Sequence, residues 1–386
     1  MAETEEETPD RTFRTYGSES GRPASHLSDG SGREPTRSAA KVAAMPGSWW
    51  LGTMPRLLKA ADRGGPAVIF VDECLRGVSQ AFFSNNPVTG VVALCASFQH
   101  SWVAGVCATV GVSAATITAH ALVVDPGALR NGLYGMSGFL LGQALALFST
   151  FESTVAPPPS LLVALAVLAS LSSFLTNAAG NFIVPTFGVV PLALPFVATA
   201  YAWLLACSGG LLAYFPVNGA VIQPALPPPN PRDGAAVEVV EYDTKALGRA
   251  LLVTIGNTAF SPSEYSGAGF VVAVLLSSPT TAAMMILGAC VAVALQVASG
   301  VSPSLVSTGL LGFNTVLTCM ALGGFFLVVR GWRVWLSLLV GALYSYLLSA
   351  ALWNLLSPVG LPALGTPFTL TAGSIRMDRR TTREVL

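Results

Sequence analysis

Gly132-Leu133-Tyr134-Gly135, with Leu140 and Gly142 close behind, is answered by Gly309-Leu310-Leu311-Gly312, with Leu317 behind it. The offset is 309 − 132 = 177, and 317 − 140 gives the same 177. Near the ends of the two copies, Leu194-Pro195-Phe196 is matched by Thr366-Pro367-Phe368, at 367 − 195 = 172. Both copies are apolar and broken by Gly and Pro. Two membrane half-domains of similar length point to a transporter or channel with a site at the repeat interface.

The surroundings of these motifs fix the class. The chain has 386 residues, 52% hydrophobic and 10% charged. Soluble domains carry about 25% charged residues. From Gly77 to Pro231 the only charges are Asp125, Arg130 and Glu152, and from Ala250 to Val329 the only one is Glu264. Stretches that long and that poor in charge belong in lipid. Backbone groups in lipid must bond within their own segment, so the spans are expected to be helices and the protein all-α. A barrel would show short alternating segments instead of long apolar runs.

Formal net charge is zero, so nucleic-acid binding has no support. His26, His100 and His120 make no metal motif, and neither a metal nor a cofactor is expected. The six cysteines, scattered without CxxC spacing, read as free buried thiols.

Residues 1–45 are rich in Glu, Ser, Arg, Pro and Gly and read as a disordered cytoplasmic tail. Residues 46–66 form an interfacial or entry segment, and 67–215 the first membrane repeat. A polar linker, 216–245, contains Pro227-Pro228-Pro229. The second membrane repeat is 246–375, and 376–386 is a basic tail. Basic residues favour the cytoplasmic side, so both termini are expected there. Several apolar runs fall short of the roughly 20 residues that a span needs, which suits half-spanning, re-entrant helices.

One segment is unusually polar for a membrane: Arg76-Gly77-Val78-Ser79-Gln80-Ala81-Phe82-Phe83-Ser84-Asn85-Asn86-Pro87-Val88-Thr89-Gly90. Amides in hydrocarbon are costly unless they bond between helices or face a cavity. Here the chain resembles the urea transporter family. The resemblance rests on Arg76-Gly77-Val78-Ser79-Gln80 leading to Asn85-Asn86-Pro87-Val88-Thr89-Gly90, and on the two Gly-Leu-x-Gly motifs. It extends through Phe313-Asn314, Gly323-Gly324, Gly360-Leu361-Pro362 and Pro367-Phe368, covering roughly residues 70–375.

The resemblance implies two inverted repeats of five transmembrane helices, each with an extra half-spanning re-entrant helix. It implies a homotrimer in a lipid bilayer, as a multi-pass protein of the plasma membrane. It implies passive urea transport through a narrow filter of aromatic slots and acceptor oxygens. Gln80 and Asn257, 257 − 80 = 177 apart, match the polar side chains that accept from urea. Phe83 and Phe260 follow each by three residues and match the slot rings. That spacing is about one helical turn, which would put each ring on the face of its amide. Leu140 and Leu317 match apolar lining residues. Plain core packing is the alternative for these rings and leucines.

Three departures stand out. Ser263-Glu264 takes the place of a second Asn-Pro, and position 257 is Asn where a longer Gln is usual. The family's central threonines fall at Ala193 and Gly365, with Thr366 one residue off. Mid-filter acceptors would then be backbone carbonyls. Glu264 reads either as a charged mouth or as a rim residue in water, with no basic partner apparent.

A channel for another small neutral solute, such as short amides, ammonia or water, is the alternative function. An aquaporin-type pore wants two Asn-Pro signatures and only Asn86-Pro87 is clear. A twin-histidine ammonia pore wants paired histidines. An intramembrane enzyme lacks support: there is no G-x-S-x-G and no pair of membrane acids. No Walker A motif supplies a motor.

Overall fold

The computed structural model describes residues 51–149, 156–208, 242–327 and 329–374. The expected tails at 1–45 and 376–386, nearly all of the linker at 216–245 and the start of the 46–66 segment lie outside the described residues. Among the described residues every regular element is helical, as backbone self-satisfaction in an apolar chain requires.

The first copy contains α1 (Pro55–Arg63), α2 (Pro66–Gln80), α3 (Pro87–His100), α4 (Trp102–Ala121), α5 (Pro126–Arg130), α6 (Leu133–Phe148), α7 (Pro159–Phe187) and α8 (Leu194–Ser208). The second contains α9 (Thr244–Gly256), α10 (Glu264–Ser277), α11 (Pro279–Ala298), α12 (Pro303–Thr308), α13 (Phe313–Cys319), α14 (Trp332–Leu356) and α15 (Thr366–Gly373). A π-helical stretch, Met320–Phe326, continues α13.

The two sets keep register. α3 and α10 are offset by 264 − 87 = 177 at the start and 277 − 100 = 177 at the end. α4 and α11 are offset by 279 − 102 = 177 and 298 − 121 = 177. Local signals explain this. Proline at the first turn opens α2, α3, α5, α11 and α12, where its missing N–H costs nothing. Asn86 caps α3 by accepting from the Val88 and Thr89 N–H groups at 2.9 and 3.2 Å. Ser263 caps α10 by accepting from Tyr265 N–H at 3.3 Å. The Ser263-Glu264 departure therefore keeps the cap that Asn86-Pro87 supplies.

Among the described residues four helices are long and apolar enough to cross a membrane: α4, α7, α11 and α14. They occupy corresponding places, two in each copy. α9, with its 3-10 turn Asn257–Ala259, and α10 form an apolar pair bent by 70°. The α14 side chains Leu336, Leu339, Val340, Leu343 and Leu347 are all exposed, an outer surface suited to lipid.

α3 packs on α10 through two reciprocal bonds. Thr89 Oγ1 donates to the Ala273 carbonyl at 2.8 Å, and Ser266 Oγ donates to the Ala96 carbonyl at 3.1 Å. The offsets are 266 − 89 = 177 and 273 − 96 = 177, so each bond is the copy of the other.

The Gly-Leu-x-Gly motifs have a steric reason. Gly132 and Gly309 have φ of 72° and 68°. A Cβ on Gly132 would come within 2.3 Å of the Gly77 backbone nitrogen, and one on Gly309 within 2.7 Å of Thr254 Cα. Each motif thus seats its loop directly on the backbone of α2 or α9. The expectation that all cysteines are buried is corrected: Cys95 and Cys290 are exposed and Cys207 is intermediate. A thiol is apolar enough for an outward face in lipid.

Candidate functional site

Gln80 ends α2, and the chain then turns sharply. Phe83 N–H donates to the Gln80 carbonyl at 3.0 Å, and Ser84 N–H to the Ser79 carbonyl at 3.1 Å. In the second copy Phe260 N–H donates to the Asn257 carbonyl at 3.2 Å, and Ser261 N–H to the Gly256 carbonyl at 3.0 Å. Both phenylalanines adopt a left-handed backbone with φ of 55°. The expected turn between each amide and its ring is a tight turn closed by an i to i+3 bond rather than an α-helical one, and the ring leaves it from a left-handed corner.

A non-glycine residue in that conformation costs about 1–2 kcal/mol. Leu192 and Leu364 repeat the pattern with φ of 51° and 47°, in the loops before Pro195-Phe196 and Pro367-Phe368. Strain of this kind persists where the surroundings over-determine it, often at functional sites.

The two amides hold the same posture. Gln80 Nε2 donates to the Asn131 carbonyl at 2.8 Å, and Asn257 Nδ2 donates to the Thr308 carbonyl at 2.6 Å. The acceptors are 308 − 131 = 177 apart, each just before its left-handed glycine. A carbonyl only accepts, so the amide nitrogen must face it and the amide oxygen must face away. Both oxygens are left to accept from something else.

The rings exchange partners between the copies. Phe83 lies 5.7 Å from Phe368 and 6.0 Å from Phe325. Phe260 lies 5.5 Å from Phe196 and 6.0 Å from Phe148. Since 368 − 196 = 172 and 325 − 148 = 177, each trio is the other with the copies swapped. Asn257 and Phe260 line one cavity of about 340 Å³ together with Phe148, Trp353, Ala363 and Leu364. Leu140 and Leu317 are buried in the cluster that holds Ala193, Leu364 and Phe368.

Ala193 and Gly365 meet. A Cβ on Gly365 would stand 3.7 Å from that of Ala193, in ordinary contact. Thr366 does not join them: its hydroxyl lies 3.2 Å from the Tyr201 hydroxyl. Tyr201 also reaches the Pro362 and Ala363 carbonyls at 3.0 and 3.1 Å. Asn314 Nδ2 donates to the Leu364 carbonyl at 3.0 Å, and its Oδ1 accepts from Phe368 N–H at 3.3 Å. Tyr201 and Asn314 so brace the second Pro-Phe loop.

Glu264 has a basic partner after all. Arg249 Nε and Nη2 donate to its two carboxylate oxygens, each at 2.8 Å. The residues are 15 apart, across the 70° bend, which no sequence window pairs. The first copy carries a larger ionic group. Arg76, 1% exposed, donates through Nε to Asp72 at 2.9 Å. Arg130 reaches Asp62 at 2.6 Å and Asp72 at 3.3 Å, and Glu73 meets His120 Nε2 at 2.7 Å.

Sequence reading missed Asn131, Thr308 and Tyr201, and it quoted Asn314 in a motif without a role. The first two were findable, because each immediately precedes the first glycine of a repeated motif. Tyr201 has Gly373 at its counterpart position, 201 + 172 = 373, so repetition gives no hint of it.

A family model described as urea transporter matches residues 71–375. The chain is similar to urea transporter 1 of Rattus norvegicus, 31% identical over 315 residues, 79% of this chain and 76% of that protein. It is similar to urea transporter 1 of Ovis aries, 30% identical over 330 residues, 83% of this chain and 77% of that protein.

Proposed function

The chain belongs to the urea transporter family, and from that membership we propose that it carries urea passively across a lipid bilayer, through a narrow passage between two inverted halves. It is an integral membrane protein with helices long enough to span. Its relatives are named as transporters, not as enzymes.

In this reading Gln80 and Asn257 accept from solute N–H groups at the two ends. Phe83 and Phe260 shape the slots, Leu140 and Leu317 line the wall, and Ala193 and Gly365 flank the middle. The observation that carries the reading is the shared posture of the two amides, both nitrogens tied back and both oxygens left over. Urea is flat and neutral, with four N–H donors. Taking it out of water costs several kcal/mol of hydrogen bonding unless acceptors replace the water. A carboxylate or ammonium would lose far more solvation. Each acceptor must also release the solute again. With no hydroxyl at positions 193 and 365, the central acceptors are backbone carbonyls, and Thr366 stays with Tyr201.

The crosswise rings and the reciprocal α3–α10 bonds support a two-fold relation between the halves 67–215 and 246–375. In the full arrangement each half has five spans and a half-spanning helix, with α6, α8 and α13 among the shorter apolar pieces. Three protomers assemble in the plasma membrane with cytoplasmic termini. Glu264, paired with Arg249, belongs to the rim.

Stopped-flow efflux of urea from liposomes holding the purified full chain tests the function. Efflux faster than from protein-free liposomes is expected. Equal rates overturn it.

A further inference from the structure

We infer that Arg76, Asn85 and Asn131 are positioning residues that fix which way the Gln80 amide faces. The inference rests on the reading of Gln80 as a solute-contacting acceptor. Five hydrogen bonds link Asp72 to Gln80, with Arg76 donating to both of its neighbours and Asn131 accepting from both of its own. Asp72 accepts from Arg76 Nε at 2.9 Å and anchors the guanidinium. Arg76 Nη1 donates to Asn85 Oδ1 at 2.8 Å and to the Asn85 carbonyl at 3.1 Å. Asn85 Nδ2 donates to Asn131 Oδ1 at 2.7 Å. The carbonyl of the same Asn131 accepts from Gln80 Nε2 at 2.8 Å.

The polarity of this relay is set at its buried end. A guanidinium only donates, so the Asn85 amide must turn its oxygen inward and its nitrogen outward. That nitrogen needs an acceptor, and Asn131 Oδ1 supplies it. The tie holds an exposed loop residue against the α2–α3 elbow, and so holds its carbonyl under Gln80. The last torsion of a Gln side chain is soft and roughly two-fold. Without the carbonyl in place, the amide is free to turn its N–H groups toward the passage. A donor would then meet the donors of the solute.

Among the described residues the second copy has no such relay. Its counterparts to Arg76, Asn85 and Asn131 are Val253, Pro262 and Thr308, each 177 residues on. Asn257 Nδ2 is held by the Thr308 carbonyl and, at 3.2 Å, by the Val253 carbonyl of its own helix. A shorter side chain tied twice to backbone has less freedom to turn. The ends of the passage are thus secured differently, one by an ion-anchored relay and one by backbone.

The test measures the ratio of urea to acetamide flux in liposomes holding the full chain. Urea has four N–H donors and acetamide two, so loss of an acceptor weighs more on urea. The ratio does not depend on how many molecules folded. Asn131→Leu removes the acceptor for Asn85, whereas Asn131→Asp keeps it. Gln80→Leu tests the underlying reading directly. Gln80→Leu and Asn131→Leu are each expected to lower the ratio by about twofold to tenfold, the worth of one hydrogen bond, and Asn131→Asp to keep it. If Gln80→Leu lowers the ratio and Asn131→Leu does not, the relay is overturned while the Gln80 reading stands. If Asn131→Asp loses as much as Asn131→Leu, the relay is overturned as well. An unchanged ratio in Gln80→Leu removes Gln80 from the passage, and the inference with it.

Discussion

Thr89 donates its hydroxyl to the Ala273 carbonyl, 184 residues away, and Ser266 returns the same bond to Ala96. Thr89 is 0% exposed and so is Ser266. Hydrogen bonds between membrane helices are worth roughly 0.6 kcal/mol each by double-mutant cycles. Thr89→Val and Ser266→Ala are therefore expected to destabilise the protein by about that amount. Unfolding in mixed detergent micelles reads the loss. Urea flux per folded molecule should not change, because neither side chain reaches the proposed passage.

Phe83 combines a strained backbone with a ring in an aromatic trio. Phe83→Ala should lower urea flux per molecule several-fold by removing one wall of the slot. Phe83→Gly removes the same ring but accepts φ of 55° without penalty. The glycine variant is expected to be more stable than the alanine variant by about 1 kcal/mol, with the same reduced flux. Equal stabilities would show that the corner is not strained.

Gly132 and Gly365 should respond oppositely to alanine. Gly132→Ala drives a Cβ to 2.3 Å from the Gly77 nitrogen at a φ of 72°. Backbone cannot move aside cheaply there, and loss of folded protein on size-exclusion chromatography is expected. Gly365→Ala meets only ordinary contacts at 3.7 Å. That variant should fold as well as the parent, within about 0.5 kcal/mol.

Glu264→Gln separates the rim from a working intramembrane acid. Its partner Arg249 is exposed, and exposed ion pairs contribute little. Urea flux and its dependence on pH should match those of the parent. A large loss of flux would assign Glu264 to the passage instead.

Much of this protein is legible from local chemistry. Long apolar runs require helices in lipid, prolines and caps fix where those helices begin, and the 177-residue offset marks equivalent positions such as Gln80 and Asn257. Even Ser263 in place of an asparagine keeps its cap. Conformation within one helix depends on neighbours a few residues away, which the sequence prints side by side.

The partners of those positions were settled by docking of distant segments. Phe83 meets Phe368, Glu264 meets Arg249 across a bend, and Tyr201 reaches the loop at Pro362. The left-handed corner at Phe83 bonds to the Gln80 carbonyl of its own copy and packs on Phe325 and Phe368 of the other. Repetition in a sequence says which residues are alike. Only the way two packed copies close on each other says which residues touch, because that depends on surfaces assembled from residues hundreds of positions apart.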